Sequence, residues 1–352
     1  MHKVIVFGPD IKGRGGIASA IQTYIGSGER EFNFTTINSY STGQGKKNSI
    51  IFFKSLFLLV GMLIFRRPDL IYIHAASRGS FFRKSLVVLS CRVFHLPVIL
   101  HLHGGGFKEF YYGLSSFSQC YIKFIIRASS SFVVLSNGWK TWFLNEVDIF
   151  TNIKVIKNGV KESRELPSTK DDKKIIFAGR LVKGKGLEDL FQVLAGLKTG
   201  GCDLNLVVAG NGNLTEYQDL AVRLGIKANV TFVGWVERKE LDVLMGSARC
   251  LVLPSYAEGM PMCILEAFAN KLAVVATTVG AIPEMLKHGS DGYLYPPGDI
   301  EQLSRFLKIY AENKELAIKD GLAGFKKYSE QYSETVFISE TNQVIYDVLN
   351  NY

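Results

Sequence analysis

Short apolar runs alternate along the chain with longer segments in which apolar residues return every three or four positions. This alternation marks parallel strands wrapped by helices. In the first half the runs are Lys3–Gly8, Phe34–Asn38, Leu70–His74, Val98–His103, Ser131–Leu135 and Lys154–Ile156. In the second half they are Lys174–Ala178, Leu204–Ala209, Val230–Val233, Cys250–Pro254 and Ala273–Thr277, followed by the short Tyr293–Tyr295. Each half therefore reads as a complete α/β unit, and the pattern predicts two doubly wound, Rossmann-like domains. The boundary falls in the polar stretch 158–173, giving domains at 1–161 and 162–337. A last helical segment near 338–352 could return to the first domain.

Open α/β sheets bind ligands outside the carboxyl ends of their strands, so two of them facing each other across a cleft would line it with strand-end loops. Candidate chemistry is sought there. The most apolar window, Ile50–Phe65, carries Lys54 and is about four residues short of a membrane span, which predicts a buried or interfacial helix. The first strand begins almost at Met1, so no signal peptide is expected.

Composition adds one asymmetry. The formal charge is +9, yet residues 1–165 hold 21 Lys and Arg against 9 Asp and Glu, whereas residues 166–352 hold 20 against 23. The basic half points to a solvated surface or to attraction for an anionic partner, and no nucleic-acid recognition motif accompanies it. Five cysteines lie at 91, 120, 202, 250 and 263, without a C-x-x-C pair or metal spacing to the six histidines. Reduced, mostly buried thiols in a cytoplasmic protein are expected.

After the first strand, Gly13-Arg-Gly-Gly-Ile-Ala18 fits the loose dinucleotide pattern G-x-G-x-x-A. That site needs a glycine directly after the strand and an acid about 20 residues on. Gly13 comes five residues after Gly8, and the second strand ends in Ile37-Asn-Ser39, so the dinucleotide reading fails. What remains is Gly15-Gly16 before a helical segment, where free N–H groups suit an anion or sugar; the plainer reading is a shaped loop.

The second half is sharper. Arg180 ends a strand and Lys185 precedes a helix; Glu258 and Glu266 then lie eight positions apart across a loop-to-helix transition. Either cation alone would be read as a surface charge paired with Glu188 or Asp189. Together with His101-Leu-His-Gly104, Asn158-Gly-Val160, Gly179-Arg-Leu181, Ala273–Thr277 and Ala281-Ile-Pro-Glu284, these residues resemble the GT-B retaining glycosyltransferases of family 4, also called glycosyl transferases group 1. The resemblance covers nearly the whole chain.

That resemblance implies transfer of a sugar from a nucleotide diphosphate, UDP- or GDP-linked, to an acceptor. Negative charge grows on the leaving diphosphate while the sugar becomes oxocarbenium-like, so cations aimed at the diphosphate lower the barrier. Arg180 and Lys185 take this role, with the backbone N–H groups of Gly259, Met260 and Met262 at a helix start; Gly15 and Gly16 close on the donor from the first domain. By resemblance Glu266 accepts hydrogen bonds from the ribose, Glu258 lies at the transferred sugar, and His103 lies near the reacting carbon. His101, on the same strand face, keeps the reading of a satisfied core residue.

No Asp-x-Asp occurs, which favours a metal-independent enzyme without cofactor. Retention comes with the family, and front-side transfer, with the donor phosphate taking the acceptor's proton, is the expected route. The basic first half mixes aromatics and cations at 78–84, 107–112 and 121–127, which suits an anionic membrane surface. The expected acceptor is a polyprenyl-diphosphate-linked saccharide in cell-surface polysaccharide assembly, with the protein peripheral on the inner face of the membrane. The rival readings are a GT-B sugar-nucleotide epimerase and a non-catalytic nucleotide-sugar sensor or membrane scaffold.

Overall fold

The computed structural model describes the chain except for residues 14, 27–30, 42–46, 150–151 and 164–170. Arg14 of the glycine-rich stretch and much of the polar boundary segment thus lie outside the described residues. The chain divides into two compact units, residues 1–159 with 334–352, and residues 160–333.

Unit 1 runs β1 (His2–Gly8), α1 (Gly16–Ile25), β2 (Phe32–Asn38), α2 (Lys47–Phe65), β3 (Leu70–Ala75), α3 (Gly79–Val93), β4 (Val98–Leu102), α4 (Phe107–Tyr112), α5 (Ser116–Ala128), β5 (Ser131–Val134), α6 (Asn137–Asn145) and β6 (Ile153–Val155). Its sheet has six parallel strands in the order β2-β1-β3-β4-β5-β6. β3 and β4 are buried along their whole length, which explains their unbroken apolar character. The strand order reverses direction between β1 and β3, so the crevice favoured for ligands lies beyond their carboxyl ends.

Unit 2 runs β7 (Lys174–Ala178), α7 (Leu187–Thr199), β8 (Asn205–Ala209), α8 (Leu214–Arg223), β9 (Val230–Gly234), α9 (Arg238–Gly246), β10 (Cys250–Leu253), α10 (Met262–Ala269), β11 (Ala273–Thr277), α11 (Ile282–Met285), β12 (Gly292–Tyr295), α12 (Ile300–Glu312) and α13 (Lys314–Gln331). Its parallel order is β12-β11-β10-β7-β8-β9, with the reversal between β7 and β10.

The last helix, α14 (Glu334–Asn350), belongs to unit 1. It buries Phe337, Ile338, Val344 and Ile345 with Val4, Val6 and Tyr72 of the sheet. Tyr24 donates a hydrogen bond to Asn342 at 2.7 Å, and Lys154 pairs with Asp347 at 3.0 Å.

One expectation is corrected. α2 starts at Lys47, three residues before the apolar window, and its 19 residues are long and apolar enough to cross a membrane by length and composition. It nevertheless packs one face on unit 1 through the buried Phe52, Leu59 and Leu63, each worth about 1.5–3 kcal/mol of burial. Phe53, Phe57, Leu58, Ile64 and Phe65 face outward. Length therefore does not argue against the membrane, and what the structure adds is that one face of the helix packs on unit 1.

Candidate active site

In unit 2 the predicted residues gather at the carboxyl ends of β7 and β10, where the strand order reverses. The loop after β7 is laced to the loop after β8: Gly179 N–H donates to the Ala209 carbonyl at 2.9 Å, Leu181 N–H to Asn211 at 2.8 Å, and Asn213 N–H returns to Leu181 at 3.2 Å. These bonds fix the backbone on both sides of Arg180. Its side chain is exposed and has no carboxylate partner among the described residues.

Lys185 closes a single 3₁₀ turn, Lys183–Lys185, before α7. Its ammonium donates to Glu258 Oε1 at 2.5 Å, and the Ser255 hydroxyl donates to the same oxygen at 2.7 Å. Glu258 is only 8% exposed, so a lone carboxylate there would be costly, and these two donors satisfy and orient it. Its other oxygen, Oε2, has no partner among the described residues. The alternative partners for the cations are engaged elsewhere: Tyr217 donates to Glu188 at 3.2 Å and Tyr256 to Asp189 at 2.7 Å. A lysine and a glutamate 73 positions apart are thus joined at one strand end.

Gly280 makes that geometry possible. It sits at φ +60°, and a Cβ there would fall 2.1 Å from the Glu258 carbonyl oxygen. The Ala281 N–H meanwhile donates to the Gly259 carbonyl at 2.9 Å, tying the glutamate loop to the loop after β11. Of the three amides expected at a helix start, Met262 opens α10, whereas Gly259 and Met260 lie in the loop ahead of its N-cap, Pro261.

Glu266 is on α10 with its carboxyl largely removed from water, which raises its pKa; Arg238, 3.5 Å away, opposes the rise. Arg238 is itself held by both oxygens of Asp242, at 2.9 and 3.0 Å, and Asn270 donates to Asp242 at 2.8 Å. The sequence pattern does not single out Arg238, Asp242, Asn270 or Ser255. The i,i+4 spacing of Arg238 and Asp242 is visible there, but only the fold brings that pair under Glu266.

In unit 1, Gly15 is the N-cap of α1 at φ 145°, ψ 158°, with open space on the side where a Cβ would stand, and Gly16 opens the helix; both are exposed. Among the described residues no side chain caps this helix, and its first turn carries no acid.

His103 lies just past β4, its N–H donating to the Ala75 carbonyl at 2.8 Å. The fold adds a neighbour that the sequence pattern does not show. His74, at the end of β3, is in register with His101, and its Nδ1 is 2.8 Å from His103 Nε2. Burial lowers the His103 pKa to about 3 and holds His74 and His101 well below the usual histidine range, so all three rings are neutral at physiological pH. Tyr72 meets His101 Nδ1 at 3.0 Å, while His101 Nε2 is buried without a partner among the described residues. His101 is thus a core residue, though an incompletely satisfied one.

The histidines themselves form a group that the cysteine spacing does not address: one ring nitrogen from each of His74, His101 and His103 lies within 4.8 Å of the others. Three neutral imidazoles could ligate a zinc-like ion. The positive charge of Lys84, which depresses the His74 pKa, opposes a dication there.

Two doubly wound parallel units with strand-end sites define the GT-B class. The comparisons agree. Residues 2–164 match the family described as Glycosyltransferase Family 4, and residues 160–324 match Glycosyl transferases group 1. The chain belongs to the GT-B, family 4-type glycosyltransferases. It is 33% identical over 165 residues to an uncharacterized glycosyltransferase, MJ1607, of Methanocaldococcus jannaschii, a match covering 46% of this chain and 40% of that one. The chain spans about half the length of the curated relatives it matches. Among solved structures, sucrose-phosphate synthase of Thermosynechococcus elongatus aligns with a TM-score of 0.84 at 16% identity, covering 100% of both chains. Anabaena Alr3699/HepE, solved with UDP-glucose, aligns at 0.78 and 17% identity over 99% of this chain and 100% of its own.

Proposed function

We propose that this chain is a retaining, metal-independent glycosyltransferase that moves a sugar from a UDP- or GDP-linked donor to a lipid-linked saccharide acceptor. The observation that carries this reading is the Lys185–Glu258 pair with Arg180 at the strand-order reversal of unit 2. Exposed Arg180 offers a guanidinium to the diphosphate, on which charge develops as the anomeric bond breaks. Lys185 supplies a second cation, and Glu258 keeps one oxygen on Lys185 and Ser255 while presenting the other to sugar hydroxyls or to positive charge growing on the ring. Glu266, 3.5 Å from Arg238, accepts from ribose hydroxyls in this reading. His103, neutral and tied to His74, serves as an uncharged hydrogen-bonding group near the sugar. Front-side transfer, with the leaving phosphate accepting the acceptor's proton, then needs no protein nucleophile.

Binding of UDP-glucose by the Anabaena neighbour supports a nucleotide-sugar donor. The outward apolar face of α2 and the cations of unit 1 support peripheral contact with the anionic inner leaflet and a polyprenyl-diphosphate acceptor of cell-surface polysaccharide assembly. The test is a thermal-shift panel of UDP-, GDP- and ADP-sugars, followed by nucleotide release and product analysis with a short-chain polyprenyl-diphosphate saccharide. Stabilisation by one donor class and an α-configured product from an α-donor are expected. Absence of any donor-dependent shift overturns the reading, and so does a covalent glycosyl-enzyme trapped or abolished by Glu258→Gln for the front-side route.

A further inference from the structure

Unit 1 contains a buried positive charge with no counter-ion among the described residues. Between Leu70 and Lys108 the sequence has no Asp or Glu, yet it holds Arg78, Arg83, Lys84, Arg92 and Lys108. Lys84 is 3% exposed and makes neither a hydrogen bond nor an ion pair among the described residues. An isolated ammonium removed from water is strongly disfavoured unless something anionic joins it.

Its surroundings are shaped for such a partner. Lys84 is in the second turn of α3, and helical side chains lean toward the N-terminus of their helix. Arg83, one position earlier, folds back the same way: its Nη1 lies 3.2 Å from where a Cβ on Gly79 would stand, so the guanidinium covers the first residue of the helix. The Arg83 Nε is buried without an acceptor among the described residues. The first turn of α3 has no acidic residue and no side-chain cap, and the N–H groups of Gly79 and Ser80 have no acceptor among the described residues. Arg78, just before the helix, is held at φ 58°, a left-handed conformation uncommon outside glycine.

The place in the fold agrees. α3 follows β3, one of the two strands at the reversal of the unit 1 sheet, where doubly wound folds take ligands. The loop entering α3 also touches the loop after β4, since a Cβ on Gly104 would lie 2.9 Å from the Ser77 nitrogen. The site is therefore next to the His103 end of β4.

We propose that the N-terminus of α3 is a diphosphate site, formed by the N–H groups of Gly79 and Ser80, the Arg83 guanidinium and the Lys84 ammonium, and that it receives the diphosphate of the lipid-linked acceptor. The assignment rests on the transferase reading above and locates its acceptor. A guanidinium fork and an ammonium at a helix N-terminus match two linked phosphates in charge and in hydrogen-bond geometry.

The experiment uses the full chain with UDP held at saturation, so that the donor site of unit 2 is filled, and follows inorganic pyrophosphate by calorimetry. One pyrophosphate per chain is expected, with affinity falling about tenfold or more in Arg83→Gln and in Lys84→Met, as for loss of a charge-assisted bond. Lys185→Met should leave this binding intact. Lys84→Met should melt at or above the unsubstituted protein, because it removes an unpaired buried charge. Farnesyl diphosphate should compete with pyrophosphate, and farnesol should not. No pyrophosphate binding beside UDP, or equal binding in both variants, overturns the site. Pyrophosphate binding without competition by farnesyl diphosphate overturns the lipid-linked source and leaves a free-phosphate site. If UDP itself fails to bind, the donor reading fails separately, and the pyrophosphate titration without UDP in Lys185→Met still decides the site.

Discussion

Replacing Lys185 by Met separates what the Lys185–Glu258 pair does for stability from what it does for turnover. The substitution keeps most of the side-chain volume and removes the ammonium 2.5 Å from Glu258, leaving a carboxylate with 8% exposure to the Ser255 hydroxyl alone. Breaking a fully buried pair costs about 3–5 kcal/mol. Lys185 is 23% exposed and Ser255 still donates, so about 2–3 kcal/mol is the better expectation, or about 5–10 °C in melting temperature for a unit of this size. Glu258→Gln in the same background removes the stranded charge and should recover most of that loss, giving a coupling of more than about 1 kcal/mol in a double-mutant cycle. Turnover should behave differently. Either change removes a charge from the proposed reacting site, so release of nucleotide diphosphate should fall about 10²–10³-fold in Lys185→Met and stay low in the double variant. The assays are thermal and urea unfolding beside nucleotide release. Turnover that recovers together with stability would mean that the pair only holds the loop; an unchanged rate in Lys185→Met would remove Lys185 from the site.

Other outcomes follow from the same structure. Unfolding of unit 1, read from Trp139 and Trp142 in a Trp235→Phe background, should require less urea as pH falls from about 6.5 toward 4.5. The folded-state pKa of His103 is near 3, so the unfolded chain takes the proton first, at a slope of about 1.4 kcal/mol per pH unit for each such histidine; a flat profile would contradict neutral rings in the fold. Gly280→Ala should destabilise unit 2 by at least about 1–3 kcal/mol, since it joins a positive φ to a backbone clash, and a melting curve matching the parent would refute the close approach to Glu258. Turnover should persist in excess chelator; its loss, with recovery on adding Mg²⁺ or Mn²⁺, would refute metal independence. Vesicles with anionic lipid should bind the protein at low salt, and Phe57→Asp on α2 should weaken that binding; equal binding to neutral vesicles would contradict the electrostatic part of the docking.

What the sequence made legible was what depends on local pattern. Every strand of both sheets could be placed within about two residues, most plainly the central ones, which are buried along their length and read as continuous apolar runs; Arg180 and Lys185 could be picked out because they follow such a run, and Glu258 and Glu266 through the family resemblance of their spacing. What it hid depends on pairings between distant segments. His74 looks like an ordinary strand end until β3 and β4 pair in register and bring it to His103. Arg238 looks like one more basic helix residue until α9 and α10 come together and it reaches Glu266. Lys84 is hidden for a further reason: in the sequence it belongs to a mixed aromatic and cationic stretch that reads as membrane-facing surface, and only the fold shows it 3% exposed and without a partner among the described residues. Charge runs report composition, whereas the cost of a charge is set by its distance from water and from an opposite charge. That is why the cations proposed to meet the donor could be picked out from their place after a strand, while the cations proposed to meet the acceptor needed the fold.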